Sequence, residues 1–234
     1  MGSNPIPSAS KYHSMLPRVI LHNAVSLDGR FDWFTPDIGR FYELASRWQE
    51  DATLVGSDTI LAAEAPPEDH EAFEPPKAEP DDPRPLLVVP DSRGQIRSWH
   101  FLRRQPYWRD VVALCSHSTP RAYFEYLEQQ HIDCIVAGDD HVDLRAALEE
   151  LNQRYAAKVV RVDSGGTLNG ALLRAGLVHE VSLLIHPSLV GGTSPRSMFR
   201  APDLACAVGV AQLRLTHVEQ LEGDLVWLRY EVVR

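Results

Sequence analysis

Two adjacent glycines, Gly165 and Gly166, mark the stretch of this sequence with the clearest potential for ligand chemistry. The apolar run at residues 159–162 before them is typical of a buried strand, and leucines from Leu168 to Leu177 recur at helical spacing. A strand, a glycine turn and a helix bring free backbone N–H groups to a helix N-terminus, where the helix dipole also favours a phosphate. The junction therefore predicts a cofactor site, with an ordinary glycine turn as the alternative.

An alternation of strands and helices must position this junction. Apolar runs predict strands at residues 18–25, 52–55, 85–89, 111–115, 133–137, 158–163 and 181–185. Helical patterns lie between most of them, at residues 37–48, from 57 onward, and at 120–130, 144–155 and 167–175. Two alternating segments, 211–219 and 224–233, predict a final hairpin. We expect an α/β fold, a mostly parallel central sheet flanked by helices with a C-terminal antiparallel hairpin.

The starts of two helices carry capping signals. A second strand-to-glycine junction lies at Gly56, and Ser57 or Asp58 can cap the helix that follows it. Thr119 is placed to cap the helix that has Pro120 at its first position.

Composition narrows the class of protein. The chain has 234 residues and a net charge of -9, which argues against nucleic acid as a partner. No apolar run is long enough to cross a bilayer, and residues 1–16 are expected to be a flexible tail before one domain at residues 17–234. Cys115 and Cys134 lie in apolar runs and are predicted to be core residues in a reducing compartment, the cytoplasm. The scattered histidines predict no metal site.

The segment from residue 63 to 85 breaks the pattern. It holds seven prolines and eight acidic residues, which exclude a central helix or strand. We expect a long surface loop.

Three segments together resemble the riboflavin-pathway pyrimidine reductases, whose fold is that of dihydrofolate reductase. They are Ser26-Leu27-Asp28-Gly29-Arg30 after the first strand, Val55-Gly56-Ser57-Asp58-Thr59-Ile60-Leu61-Ala62, and the stretch from Asp163 through Glu180. Each motif is weak alone, and their order and spacing make the set fairly specific. The resemblance runs from about Arg18 to the final hairpin. It implies a homodimeric enzyme that uses NADPH to reduce the ribosylamino group of a phosphorylated pyrimidine to a ribitylamino group.

The resemblance also implies which residues hold the cofactor. The diphosphate would lie on the two glycine junctions, and the extra 2′-phosphate of NADPH would favour a hydroxyl and an arginine after the third strand. Asp58 would repel a phosphate, so we expect it to cap its helix and face away. The predicted cofactor-binding residues are Gly56, Ser57, Thr59, Ser92, Arg93, Gly165, Gly166, Thr167 and Leu168. A solvated turn is the alternative at Ser92 and Arg93.

Substrate contacts are implied at Asn23, Ser26, Asp28 and Asp163. Asn23 lies inside an apolar strand, where a buried amide needs partners that a ligand would supply, and the neighbouring His22 is expected to be a core histidine on the opposite face. Ser26 and Asp28 have an alternative role in holding the turn. For Asp163 the alternative is a helix cap, and we favour substrate contact because ligands bind at the carboxyl ends of strands.

Glu64 is the candidate catalytic residue, as a proton donor or substrate anchor. The loop that follows it differs from the family, which has cations there for a substrate phosphate. Here Lys77 and Arg84 are the only cations among many acids.

Other functions remain open. One alternative is a dihydrofolate-reductase-like enzyme with a different small-molecule substrate. Another is a non-catalytic ligand-binding relative, which predicts an occluded glycine junction. A flavin or Rossmann-type enzyme would need a glycine fingerprint near the first strand, and none is there.

Overall fold

The protein is built around one nine-stranded sheet. The computed structural model describes residues 16–63, 82–193 and 196–233. The strands are β1 Arg18–Ser26, β2 Ala52–Leu54, β3 Leu86–Pro90, β4 Asp110–Cys115, β5 Asp133–Val136, β6 Val159–Val162, β7 Glu180–His186, β8 Gln212–Gln220 and β9 Val226–Val233. Their order in the sheet is β5-β4-β3-β2-β6-β1-β7-β9-β8. β1 through β7 run parallel, and β9 is antiparallel to both β7 and β8.

Helices cover both faces of the sheet. They are α1 Ile38–Ala45, α2 Ser57–Ala62, α3 Trp99–Arg103, α4 Arg121–Gln129, α5 Leu144–Tyr155 and α6 Gly166–Arg174. α5 and α6 pack their leucines on one face of the sheet, whereas α3 and α4 lie on the other face. α1 covers a smaller cluster with Leu184 and Trp227.

The alternation of side chains along β3 and β4 explains why the sheet is covered on both sides. Leu86 and Val88 enter the core under α5 and α6, whereas Leu87 and Val89 enter the core under α3 and α4. Cys115 is buried in this second core and Cys134 is half-buried against it, and both are free thiols. Strands buried on both faces need continuous apolar runs, which is the pattern seen in the sequence.

The predicted fold class is confirmed, and most strand and helix bounds agree within one or two residues. The first predicted helix is shorter than expected, because α1 ends at Ala45 and a 3-10 turn, Ser46–Trp48, leads to Gln49 in a left-handed conformation. The short helix α3 was not predicted.

The capping predictions are wrong. The N-cap of α2 is Gly56 and that of α4 is Pro120, and neither start receives a side-chain hydrogen bond among the described residues. The Thr119 hydroxyl instead contacts the backbone at Ser116 and Ser92, so it ties two loops together.

Some predictions concern residues that the structure does not describe. Residues 1–15 of the expected tail and residues 64–81 of the acidic loop are outside it. Within the described ranges, the helices are too short or too polar to cross a bilayer.

Candidate active site

The two glycine junctions meet at the carboxyl edge of the sheet. β2 and β6 are parallel neighbours, so the turns that follow them lie side by side. The Gly56 N–H donates to Ser164 Oγ at 3.1 Å, which joins the turns directly. Between them is a cavity of about 220 Å³. Its lining is Gly56, Ser57, Asp58, Thr59, Pro90, Ser164, Gly165, Gly166, Thr167, Leu168 and Ala171.

This cavity offers uncapped helix starts to a ligand. α2 begins at the N-cap Gly56 and α6 at the N-cap Gly165, and in the described part of the chain no side chain caps either one. The first N–H groups of a helix have no partner inside the helix. Two such starts around one cavity favour an anion with more than one phosphate.

The two adjacent glycines have different roles. A Cβ added at Gly165 would meet nothing within 4 Å, and its φ of -77° suits any residue. A Cβ added at Gly166 would lie 2.1 Å from the backbone oxygen of Ser197. Gly165 thus faces the open cavity, whereas Gly166 allows the segment around Ser197 to pack against α6.

Asp58 does not face away from the cavity. It is exposed in the first turn of α2 and lines the cavity, which corrects the expectation that it caps the helix and points elsewhere. Its carboxylate would oppose a bound phosphate.

Ser92 and Arg93 follow β3, whose last residue, Pro90, lines the cavity. The Ser92 hydroxyl accepts a hydrogen bond from the Val142 N–H, and Arg93 is exposed. Both lie beside the cavity without lining it.

A second cavity of about 310 Å³ adjoins the first. The two share Thr59, Ser164 and Gly165. The rest of its lining is mostly aromatic and apolar: Asn23, Ala24, Phe31, Phe34, Pro36, Ile38, Phe41, Tyr42 and Asp163. A flat ring could be stacked here, with polar groups at only a few points.

Asn23 has protein partners for its buried amide. Its Nδ2 donates to the Ser164 carbonyl at 3.1 Å, and its Oδ1 accepts from Asn169 Nδ2 at 2.9 Å. The side chain therefore holds the Gly165 turn in place from beneath the cavity. The expectation that a ligand would supply these partners is not needed to explain its burial.

His22 is a core histidine, as predicted. Its Nε2 contacts the Phe41 carbonyl at 3.0 Å and its Nδ1 contacts Ser182 Oγ at 2.9 Å. The carbonyl can only accept, which places the proton on Nε2. Burial lowers the pKa of His22 to about 3, so the ring is neutral.

Asp163 lies at the wall of the second cavity. Its Oδ2 is 3.3 Å from Arg161 Nη1 and 3.5 Å from the Tyr42 hydroxyl. Burial raises the pKa of this carboxyl, and the Arg161 charge opposes that effect. Because the described residues give α6 no side-chain cap, the capping alternative for Asp163 does not hold.

Ser26 and Asp28 lie apart from both cavity linings. The Ser26 hydroxyl donates to Asp28 Oδ1 at 2.6 Å, and the Asp28 carboxylate accepts from the N–H groups of Val190 and Gly191. These bonds lower the pKa of Asp28 to about 2. The pair clamps the first turn to the loop after β7. Glu64, the candidate catalytic residue, lies outside the described residues.

Several residues of the site were not predicted. The aromatic residues at 31, 34, 41 and 42 come from a loop and a helix that carried no ligand motif, although their density between residues 31 and 42 was a usable signal. Arg161 also escaped notice, although a charge inside an apolar strand indicates a buried ion pair.

The chain is similar to known proteins over most of its length. Residues 17–227 match the model of the RibD C-terminal domain. The 2,5-diamino-6-ribosylamino-4(3H)-pyrimidinone 5′-phosphate reductase of Methanothermobacter thermautotrophicus is 30% identical over 220 residues, which are 91% of this chain and 97% of that protein. The riboflavin biosynthesis protein RibD of Actinobacillus pleuropneumoniae is 26% identical over 229 residues, and the match spans 57% of its length.

A solved structure shows the same fold. RibD of Acinetobacter baumannii superposes with a TM-score of 0.68 at 22% identity, over 93% of this chain and 58% of that one. The sheet therefore has the dihydrofolate-reductase-like arrangement that the sequence predicted. With a family match over nearly its whole length, the chain belongs to the RibD C-terminal domain family.

Proposed function

We propose that this protein is an NADPH-dependent reductase of riboflavin biosynthesis. Its substrate would be a pyrimidine 5′-phosphate, either a diaminopyrimidine or an amino-uracil, whose ribosylamino group becomes a ribitylamino group. Membership of the family makes the protein a pyrimidine reductase. The relative from Methanothermobacter thermautotrophicus, which it matches over 97% of its length, is named for a reaction of this kind.

The observation that carries the proposal is the continuity of the two cavities at Gly165. One cavity offers uncapped helix starts, as a diphosphate requires, and the other offers aromatic walls with one carboxylate. A dinucleotide laid across Gly165 would place its phosphates in the first cavity and its nicotinamide in the second. The open face of Gly165 leaves room for it.

Bound NADPH supplies a hydride to C1′ of the open-chain imine form of the substrate, and one proton added to the nitrogen completes the ribitylamine. The chain would orient the two rings and exclude water from the contact between them. Gly56, Ser57, Thr59, Gly165, Gly166, Thr167 and Leu168 would hold the diphosphate. Ser92 and Arg93, beside the cavity at the end of β3, would hold the 2′-phosphate.

Asp163 would contact the substrate from the cavity wall, and Asn23 would hold the turn that both ligands contact. Ser26 and Asp28 would act from the neighbouring clamp by fixing the loop after β7. Glu64 stays the proposed catalytic acid or substrate anchor.

We further propose that residues 17–234 form one reductase domain. Two copies of the chain would form a homodimer in the cytoplasm. β8 is an edge strand whose Leu213, Leu215 and Val218 are exposed. Exposed apolar edges favour pairing with another chain. A second copy would cover these residues.

One observation favours a second candidate function. The described lining of the second cavity, where the substrate would bind, contains no lysine or arginine, although a substrate phosphate would favour one. The same reductase scaffold could therefore act on an unphosphorylated small molecule. A non-catalytic relative is disfavoured, because it predicts an occluded glycine junction and the Gly165 face is open.

Incubation of the purified protein with NADPH and each ribosylamino pyrimidine 5′-phosphate tests the proposal. We expect NADPH oxidation together with formation of the ribitylamino product. The dephosphorylated substrates decide between the two candidates, because faster turnover without the phosphate would support the second. Absence of oxidation with all of these compounds would contradict the first candidate and would limit the second to substrates other than these pyrimidines.

A further inference from the structure

An arginine lies buried in the middle of the parallel sheet. Arg161 belongs to β6, between β2 and β1, and only 3% of its surface is exposed. A buried guanidinium needs partners for its five N–H groups and its charge. It has three: Glu50 Oε1 at 2.7 Å, Thr53 Oγ1 at 3.4 Å and Asp163 Oδ2 at 3.3 Å.

The partners of Arg161 are not equivalent. The Glu50 side chain is also largely buried, so Arg161 and Glu50 form a neutral pair that would suffice for a structural role. Asp163 adds a second carboxylate to the same cation. Its side chain keeps 28% of its surface exposed, at the wall of the aromatic cavity.

The two contacts of the Asp163 carboxylate use the same oxygen atom. The hydrogen bonds from Arg161 and from the Tyr42 hydroxyl both end at Oδ2. No described residue bonds Oδ1, so this oxygen is available to a ligand in the cavity. The Arg161 guanidinium also lies 6.0 Å from the Tyr42 ring centroid, so one cation lies close to both Asp163 and Tyr42 at the cavity wall.

We propose that Arg161, anchored by Glu50, is a positioning residue that holds the Asp163 carboxylate at the cavity wall with Oδ1 turned to the substrate. This role rests on the proposed function for the identity of the substrate. Arg161 would not touch the ligand itself, because it is buried and is not among the residues that line the cavity.

The charges around Asp163 predict that its pKa shifts in opposite directions in two variants. Arg161 lowers the pKa of Asp163, Glu50 raises it, and burial raises it. Tyr42 from α1 donates a hydrogen bond, which lowers it, and His22 from β1 is neutral. Loss of Arg161 must therefore raise this pKa, and loss of Glu50 must lower it.

The test measures the titration of the Asp163 carboxyl by carbon NMR in the ligand-free protein, and the pH profile of kcat. Asp163→Asn identifies both the signal and the limb of the profile. In Glu50→Gln/Arg161→Met, which removes both members of the buried pair, we expect a higher midpoint and a kcat lowered about tenfold to a hundredfold. In Glu50→Gln we expect a lower midpoint. Arg161→Lys, which keeps the charge, should keep the midpoint of the natural protein.

A purely structural Arg161 would lower stability, and the folded double variant would keep the kcat of the natural protein. Unchanged midpoints, or midpoints that move in the same direction in Glu50→Gln and the double variant, would overturn the proposal. If the double variant does not fold, Glu50→Gln and Arg161→Lys still test the proposal. An unchanged Asp163 midpoint in Glu50→Gln, or a raised midpoint in Arg161→Lys, would contradict it. Failure of the proposed function would appear separately, as absence of pyrimidine reduction by the natural protein, while the NMR titration would still report on Arg161.

Discussion

Gly56 and Ser164 connect the two turns of the active site through a single hydrogen bond. The Gly56 N–H donates to Ser164 Oγ, and a Cβ at Gly56 would lie 2.7 Å from that oxygen. The Ser164 carbonyl accepts from Asn23 on β1 and from Asn169 on α6. Ser164 thus joins the turns after β2 and β6 to β1 and α6, beneath the proposed cofactor.

Gly165→Glu should abolish most NADPH binding without unfolding the protein. Its Cβ has open space, so the fold tolerates it, but the side chain brings bulk and negative charge to the helix start. We expect the Kd for NADPH to rise at least about tenfold, a change of about 1.4 kcal/mol. Fluorescence titration measures the Kd and thermal unfolding checks the fold.

Gly165→Ala is the matched control and should keep the natural unfolding temperature. Gly166→Ala should lower that temperature, because its Cβ meets the Ser197 backbone. A Gly165→Glu protein that folds and binds NADPH normally would place the cofactor elsewhere.

Asp58→Asn should strengthen NADPH binding. Asp58 lines the cavity proposed for the diphosphate, and its removal relieves a repulsion between exposed charges. Pairs of this kind change affinity about two- to fivefold at low salt, and less as salt screens them. Titrations at low and high ionic strength measure both effects.

Glu222→Gln changes the net charge equally in the turn between β8 and β9, which β1 and β7 separate from β6 in the sheet. It should leave the Kd unchanged. An Asp58→Asn protein with weaker binding would mean that Asp58 contributes to the site.

Asn23→Ala should lower both stability and ligand affinity. It removes the donor to the Ser164 carbonyl and leaves the Asn169 amide without its acceptor at Asn23. Loss of such buried bonds costs about 1–3 kcal/mol of unfolding free energy, which urea titration measures. Asn152→Ala, which removes a similar amide bond to Ala157 away from the site, should lower stability alone. Equal loss of NADPH affinity in both variants would contradict a specific role for Asn23.

Stability should fall below about pH 6.5 because of His22. The pKa of the ring is lowered from 6.5 to about 3 in the folded protein, so the unfolded chain binds the proton first as the pH falls. The contribution is complete above pH 6.5 and is lost as the pH falls toward 3, at a cost of about 2 kcal/mol at pH 5. Urea unfolding across this range should give a shallower dependence in His22→Gln. His117→Gln, at an exposed histidine, should keep the natural slope, and identical slopes in all three proteins would exclude His22 as the cause.

The sequence predicted the elements that depend on local pattern. α5 was predicted at the residues it occupies, because its leucines keep a helical period. Its N-cap, Asp143, was not predicted. The parallel strands were predicted because burial on both faces demands apolar runs. α3 was missed, since five residues make fewer than two helical turns and a periodic pattern cannot repeat in them.

Long-range pairing accounts for what the sequence could not predict at the site. Glu50 lies 111 residues before Arg161 in the chain, and only the β2–β6 pairing brings them together. Asn23 was singled out as informative, but its partners Ser164 and Asn169 could not be read from local pattern for the same reason. The capping errors at Ser57, Asp58 and Thr119 arose because residue preference at a helix start does not say where the side chain bonds.

The most direct test of the account is transfer of deuterium from NADPH labelled at the transferable position of its nicotinamide. The protein is incubated with this cofactor and the ribosylamino pyrimidine 5′-phosphate, and the product is analysed by mass spectrometry and NMR. We expect one deuterium at C1′ of the ribityl chain, and little product from Gly165→Glu. Product without deuterium at that carbon, or no product from a folded protein that binds NADPH, would contradict it.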